Sequence, residues 1–293
     1  MFIPGRLTSP SEVRRLLREY GLRPKKRLGQ SFLVDGNILD KIIAAAEIEA
    51  SDCVLEIGPG LGTLTTAAAE RAEGVVCVEA DRDLIPILRR TTSGSANVEI
   101  VHSDFLSLDL SAFLHERFAG RKCVVLGNLP YYITSPIVST IIESRQSVAR
   151  AVLMVQKEVA DRLAASPGSG EYGSFGVYVN YYCVLEVIGR APRSVFLPPP
   201  GVDSAIIRLT PRESPPVRTK DEATFFAVVR AAFQQRRKTL ANALAGAKGL
   251  GLDKEKASRA LTAAGVEPSR RGETLTMEEF AAVADALQPN RYF

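Results

Sequence analysis

Four short runs, Val54–Ile57, Val75–Glu79, Val98–Val101 and Val124–Leu126, are almost wholly apolar, and stretches at 62–72, 83–91 and 111–118 with helical character separate them. A strand with one face in water alternates polar and apolar residues, so runs apolar throughout belong to a sheet covered on both faces. Strands joined through helices cross over and run parallel. The rhythm continues with a helix over 134–143, a strand at Ala151–Val155 and a helix near 156–164. After Pro167-Gly168-Ser169-Gly170 it changes: 174–187 and 202–210 read as two longer strands with no helix between them, which predicts an antiparallel end to the sheet. The fold class is therefore α/β, a Rossmann-like sheet that is mostly parallel.

Helices bracket this core. Ser9-Pro10-Ser11-Glu12 combines an N-cap, a first-turn proline and the glutamate of a capping box. Val13, Leu16 and Leu17 share a face of that helix, and Gly21 should end it. Ile38, Leu39, Ile42 and Ile43 mark a second helix over 36–48. Pro211-Arg212-Glu213-Ser214-Pro215-Pro216 reads as an extended linker. Beyond it, 221–235, 237–247, 253–264 and 276–287 look helical, with Thr276 and Glu279 as another capping box. The expected organisation is a basic N-terminal segment over 1–34, an α/β domain over 35–210, a linker over 211–220 and a small all-helical domain over 221–293.

The formal net charge of +4 hides an asymmetry. Residues 1–30 carry 8 basic and 2 acidic side chains, 31–211 carry 15 and 21, and 212–293 carry 14 and 10. Basic ends around an acidic middle suggest a polyanionic partner gripped from two sides. No apolar run approaches the ~20 residues of a membrane span, and the opening Met1-Phe2-Ile3-Pro4-Gly5-Arg6 has no apolar leader, which argues against export. The four cysteines, Cys53, Cys77, Cys123 and Cys183, sit apart in apolar runs, as buried thiols of a reducing cytoplasm do. His102 and His115 lack Cys or His neighbours at ligand spacing, so no metal site is expected.

Chemistry concentrates at the ends of the predicted strands. Val54-Leu55-Glu56-Ile57-Gly58-Pro59-Gly60-Leu61-Gly62-Thr63 runs a strand into a glycine-rich turn that opens a helix, letting the backbone turn sharply against a cofactor. Glu79 ends the next strand, 21 residues after Gly58, where an acid can accept both hydroxyls of a ribose. Asp104 follows the third strand and could accept from an adenine amine. Together they predict an adenosine site. NAD is the rival ligand, but glycines at 58, 60 and 62 depart from the G-x-G-x-x-G fingerprint.

Gly127-Asn128-Leu129-Pro130-Tyr131-Tyr132, after the fourth strand, is more specific. An adenine N6 lone pair is delocalised into the ring, which makes the amine a poor nucleophile. Two acceptors on its hydrogens, Asn128 Oδ1 and the Leu129 carbonyl, would favour a localised lone pair. Pro130 stiffens the loop, and Tyr131 offers a face on which an extruded base can stack. No shifted general base is then needed.

The Asn-Leu-Pro-Tyr loop, the glycine turn and Arg27-Leu28-Gly29-Gln30-Ser31-Phe32-Leu33 together resemble the ribosomal RNA adenine N6,N6-dimethyltransferases. The resemblance extends through Leu153-Met154-Val155-Gln156-Lys157-Glu158-Val159, Phe196-Leu197-Pro198-Pro199-Pro200-Gly201-Val202-Asp203-Ser204-Ala205 and Phe233–Leu244, and so covers nearly the whole chain. It is strongest to the bacterial kasugamycin-sensitivity branch, which dimethylates two adjacent adenosines near the 3′ end of small-subunit (16S) rRNA. The resemblance implies a class I methyltransferase with S-adenosylmethionine as donor. Gln30, Ser31, Leu33, Glu56, Gly58, Gly60, Gly62, Glu79, Asp104 and Asn128 would form the cofactor site. Gly58 would lie against the amino-acid part, Glu79 would hold the ribose and Asp104 the adenine amine. Asn128, Leu129, Pro130 and Tyr131 would form the catalytic loop, and Phe196 would join Tyr131 around the target base. Position 31 is often Asn in the family and is Ser here. The resemblance also implies a cytoplasmic monomer with the small ribosomal subunit as partner, a role in ribosome biogenesis and no membrane.

Two basic segments are expected at the RNA. Arg23, Lys25, Lys26 and Arg27 precede the cofactor-site loop. Arg236, Arg237 and Lys238 lie in 229–248, which has five basic and no acidic residues. Tyr178, Tyr181 and Tyr182 read as packing residues rather than base platforms. Rival readings are the macrolide-resistance methyltransferases of large-subunit rRNA, a non-catalytic rRNA assembly factor and a mitochondrial-type transcription factor on the same fold.

Overall fold

The computed structural model describes residues 7–287. Two compact units form, one from residues up to Ala160 together with Val184–Pro211, the other from Asp161–Cys183 together with the chain from Arg212 on. Residues 161–183, expected in the α/β domain, thus belong with the helices.

The first unit begins with helix α1 (Pro10–Glu19), whose Val13, Leu16 and Leu17 are buried, followed by the two-residue strand β1 (Phe32–Leu33) and helix α2 (Gly36–Ala46). Ser9 does not cap α1 with its side chain: its hydroxyl meets Ser11, and Glu12 accepts from Arg15 instead. Asp35 does cap α2, accepting from Ile38 N at 3.0 Å. The alternation then runs as expected through β2 (Cys53–Ile57), α3 (Thr63–Ala69), β3 (Gly74–Glu79), α4 (Ile85–Thr91), β4 (Val98–His102), α5 (Leu110–Phe118), β5 (Cys123–Asn128), α6 (Thr134–Glu143), β6 (Val148–Gln156) and α7 (Lys157–Leu163). After helix α8 (Ser174–Tyr182) the sheet closes with β7 (Cys183–Ala191) and β9 (Ser204–Pro211), the short β8 (Phe196–Leu197) lying between them in sequence.

The sheet has seven strands in the order β4-β3-β2-β5-β6-β9-β7. Neighbours from β4 to β6 are parallel, and β9 runs antiparallel to β6 with Leu153 opposite Ile207. Burial explains the apolar runs: every residue of β2 is buried, and Val54, Val75, Cys77, Val124, Leu126, Val152 and Ile206 share one core with Ile38 and Ile42 of α2. Strands β1 and β8 form a separate two-stranded antiparallel ladder, pairing Phe32 with Leu197 and Leu33 with Phe196. All four cysteines are buried and free.

The second unit gathers α8 with α9 (Glu222–Gln234), α10 (Leu240–Ala245), α11 (Lys254–Ala263) and α12 (Met277–Leu287). Residues 174–182 are helical, against the expected strand over 174–187. Val177, Val179 and three tyrosines give the segment strand-like composition. Tertiary packing overrides that preference: Tyr181 lies 5.0 Å from Phe225, ring to ring, and Tyr178 5.6 Å from Phe226. The capping box of α12 forms, with Thr276 N donating to Glu279 at 2.9 Å and Glu279 N to the Thr276 hydroxyl at 3.3 Å. Among the described residues no helix is long and apolar enough to cross a membrane.

Candidate functional site

Strand order reverses between β2 and β5: β3 and β4 extend the sheet one way, β5 and β6 the other. Loops leaving the carboxyl ends of parallel strands diverge at such a point and leave a crevice. A cavity of about 250 Å³ lies there, walled by Glu56 of β2, Glu79 of β3, Asp104 after β4 and Asn128 of β5. The loop at 28–31 and β1 complete the wall. Among the described residues, three carboxyl residues line this cavity, and no lysine, arginine or histidine does.

The glycine turn supplies the floor. Gly58 and Gly60 have φ of 66° and 58°, the left-handed region that side chains resist. A Cβ built at Gly58 would meet no atom within 4 Å, so open space, not packing, adjoins it. Gly62 differs: its Cβ would stand 3.0 Å from Leu88 and Thr91, so it serves the close approach of α3 to α4.

Glu79 is buried, and each oxygen already accepts one amide, Oε1 from Asp81 N at 2.7 Å and Oε2 from Gly60 N at 3.1 Å. These bonds fix the carboxylate and leave a lone pair on each oxygen for a diol. Burial raises its pKa, and the amides offset part of that rise. Asp104 is exposed and accepts from Leu106 N at 3.0 Å, which holds the carboxylate at the rim. Glu56 is only 1% exposed; Thr65 donates to its Oε2 at 2.5 Å, and Cys77 Sγ lies 3.7 Å away. Burial pushes this carboxyl up to about 7.

Asn128 donates from Nδ2 to the Ser31 carbonyl at 2.8 Å. A carbonyl cannot face Oδ1, so this bond sets the amide orientation and keeps Oδ1 as an acceptor. The contact runs through the backbone of position 31, so it does not depend on the side chain there. Leu129 is buried and donates its amide to the Met154 carbonyl at 3.1 Å, pinning the loop to β6.

The cavity wall thus brings together Gln30, Ser31, Leu33, Glu56, Gly58, Gly60, Glu79, Asp104, Asn128 and Pro130. Gly62, Leu129, Tyr131 and Phe196 are not in it. The Tyr131 hydroxyl meets Ser204 at 2.7 Å, and Phe196 is 3% exposed, packed in the sheet core. The aromatics in the wall are Phe32, Phe105 and Tyr132; Tyr132 is 61% exposed, and its ring stands 3.8 Å from the Cβ position of Gly29. Adjacent tyrosines are chemically alike, and only the backbone path decides which one faces the cavity.

The basic residues divide as well. Arg23 and Arg27 are exposed, whereas Lys25 donates to Asp81 and Asp83, each at 2.6 Å. The side chain of Lys26 lies outside the described residues. Arg236, Arg237 and Lys238, expected on helices, occupy the turn between α9 and α10. Arg236 donates to the Gly170 carbonyl at 2.7 Å and pairs with Glu273 at 3.5 Å; Arg237 and Lys238 are exposed.

A glycine turn, an acidic cavity at the sheet's reversal point and an antiparallel terminal strand define a class I methyltransferase. Residues 21–287 match the model of the family described as ribosomal RNA adenine dimethylase. The chain belongs to that family. It is 49% identical over 287 residues to a ribosomal RNA small subunit methyltransferase A from Pelotomaculum thermopropionicum, covering 96% of this chain and 97% of that one. Its identity to the protein of that name from Geobacillus thermodenitrificans is 50% over 285 residues, covering 97% of each. Among solved structures it is similar to a dimethyladenosine transferase from Plasmodium falciparum, with a TM-score of 0.70 at 28% identity, covering 86% of this chain and 95% of that one. The 23S rRNA methyltransferase ErmE gives 0.67 at 28% identity, covering 87% and 99%.

Proposed function

We propose that this enzyme transfers methyl groups from S-adenosylmethionine to the N6 amines of two adjacent adenosines near the 3′ end of small-subunit rRNA, and so takes part in small-subunit assembly. The observation that carries the cofactor reading is the charge of the cavity. Among the described residues, Glu56, Glu79 and Asp104 line it and no cationic side chain does. Such a lining suits an adenosine with a positively charged tail and opposes the pyrophosphate of NAD. Glu79 would accept the ribose hydroxyls, Asp104 the adenine amine, and Gly58 would leave room for the amino-acid part. When bound, the donor supplies an activated methyl group.

The protein's share of the reaction is alignment. Asn128 Oδ1 and the Leu129 carbonyl accept from the two N6 hydrogens, localising the lone pair on nitrogen. The Ser31 and Met154 carbonyls hold those acceptors in place beforehand, so they need no reorganisation as charge develops. An aromatic amine that has gained a fourth bond is acidic enough to release its proton to water, so a general base is dispensable. Tyr131 and Phe196 are the proposed base platform, with Tyr132 at the mouth of the cavity. Arg23, Arg27, Arg237 and Lys238 are exposed cations that suit RNA phosphates. The enzyme is proposed to act as a cytoplasmic monomer.

The small-subunit target rests on relatives 49% and 50% identical that carry that name. Incubating the protein with radiolabelled S-adenosylmethionine and unmodified small subunits, large subunits or naked rRNA tests it. Label mapped to adjacent adenosines of the small-subunit rRNA is expected. Label confined to large-subunit rRNA would transfer the proposal to the macrolide-resistance type of target.

A further inference from the structure

Asp81 follows Glu79 by two residues, has no place in the roles above and does not itself line the cavity, yet it is bonded to the loop that does. It is 5% exposed. Its Oδ1 accepts from Lys25 Nζ at 2.6 Å and from Asp83 N at 3.1 Å, and its Oδ2 accepts from Gln30 Nε2 at 2.6 Å. Gln30 returns through Oε1 to the Lys25 amide at 2.8 Å, closing a ring of bonds around the loop. Asp83 adds a second carboxylate to Lys25 at 2.6 Å. On its other side the Asp81 amide donates to Glu79 Oε1 at 2.7 Å. Burial alone would push the Asp81 carboxyl up, but Lys25 and Gln30 outweigh it and hold it below the usual range.

The loop fastened in this way is a wall of the cavity. Leu28, Gly29, Gln30 and Ser31 line it, and Ser31 carries the carbonyl that orients Asn128. Asp81 therefore touches two parts of the site: its carboxylate holds the loop, whose Ser31 orients Asn128, and its backbone amide holds the ribose-facing acid.

We propose that Asp81 is a positioning residue for the methyl donor, clasping the 25–31 loop over the cofactor cavity through Lys25 and Gln30 while its amide aims Glu79. Lys25 then belongs to the cofactor clasp and not to the RNA interface. The proposal rests on the reading of the cavity as an S-adenosylmethionine site. It deepens that reading by naming what holds the 28–31 wall of the cavity.

The test uses the full-length protein with Asp81→Asn, Lys25→Met and the double variant. Asn at 81 keeps one acceptor oxygen but cannot serve both Lys25 and Gln30. Lys25 lies on the surface, so Lys25→Met keeps the test alive if changes at Asp81 impair folding. Titration calorimetry with S-adenosylmethionine, without RNA, should show dissociation constants raised about tenfold in each single variant, equal to ~1.4 kcal/mol. The double variant should be no weaker than the single ones, because both remove one clasp. Amide exchange over 25–31 should quicken while the sheet stays protected. In steady state KM for the cofactor should rise more than kcat at saturation falls, and saturating cofactor, by restoring loop order, should recover most of the rate.

Unchanged cofactor affinity in both single variants, with weaker RNA binding in Lys25→Met, would return Lys25 to the RNA interface and overturn the proposal. Fully additive losses in the double variant would also overturn it. A wild-type protein that binds no S-adenosylmethionine would instead defeat the underlying cofactor reading, and this inference with it.

Discussion

Glu56→Gln should stabilise the protein at alkaline pH and leave it nearly unchanged in acid. Glu56 is 1% exposed, and its carboxyl rises from an ordinary 4.5 to about 7, chiefly because burial disfavours the charge. Between those values the folded chain retains a proton that the unfolded chain has released. Folding stability therefore falls as pH climbs from about 4.5 to about 7. At about 1.36 kcal/mol per pH unit, the loss approaches ~3 kcal/mol once Glu56 is ionised in both states. Glutamine has the same shape, carries no charge and still accepts from the Thr65 hydroxyl. The measurement is urea unfolding of wild type and variant at pH 5 and pH 8.5. Near-equal stability at the lower pH and a gain of roughly 3 kcal/mol for the variant at the higher one are expected. An equal difference at both pH values, or a variant less stable at pH 8.5, would refute the assignment of a buried carboxyl whose charge is costly.

Three other changes probe separate parts of the molecule. Gly127→Ala would place a Cβ 2.7 Å from Leu129 Cδ2 and 3.2 Å from the Ile57 carbonyl, so it should cost ~1–3 kcal/mol and shift the catalytic loop; a crystal structure or melting curve would register both. Arg237→Ala with Lys238→Ala should weaken rRNA binding and flatten its salt dependence, read by filter binding across salt concentrations. Arg236→Ala should instead lower the melting temperature of the second unit, because Arg236 is bonded to Gly170 and Glu273.

The parallel sheet was legible because its strands are buried on both faces and so write themselves as unbroken apolar runs. Glu79, Asp104 and Asn128 were legible for a related reason: strand carboxyl ends are where such a sheet places its ligands. What escaped depends on contacts distant in sequence. The tyrosine-rich helix at 174–182 reads as a strand, and its rings pack against Phe225 and Phe226, contacts that the local sequence does not announce. Lys25 reads as one cation of a basic run until the fold brings Asp81, 56 positions away, to within 2.6 Å. Asp81 caps the turn after β3, accepting from Asp83 N, a local role that gives no hint of its distant partners. The pattern Glu79-x-Asp81-x-Asp83 beside a lysine-rich loop was the available signal, but nothing local says that the two segments meet. Tyr132 lines the cavity beside the predicted Tyr131, and nothing in the local sequence distinguishes the two neighbours.

The central claim is that Asn128 presents acceptors to an adenine N6 and thereby allows methyl transfer. Mass spectrometry of nucleosides from small-subunit rRNA, after incubation with S-adenosylmethionine and either wild type or Asn128→Ala, tests it most directly. Wild type should generate N6,N6-dimethyladenosine, and the variant should generate none while still binding the cofactor within about tenfold, ~1.4 kcal/mol, of wild type. Dimethyladenosine formed by the variant at a comparable rate would contradict the account.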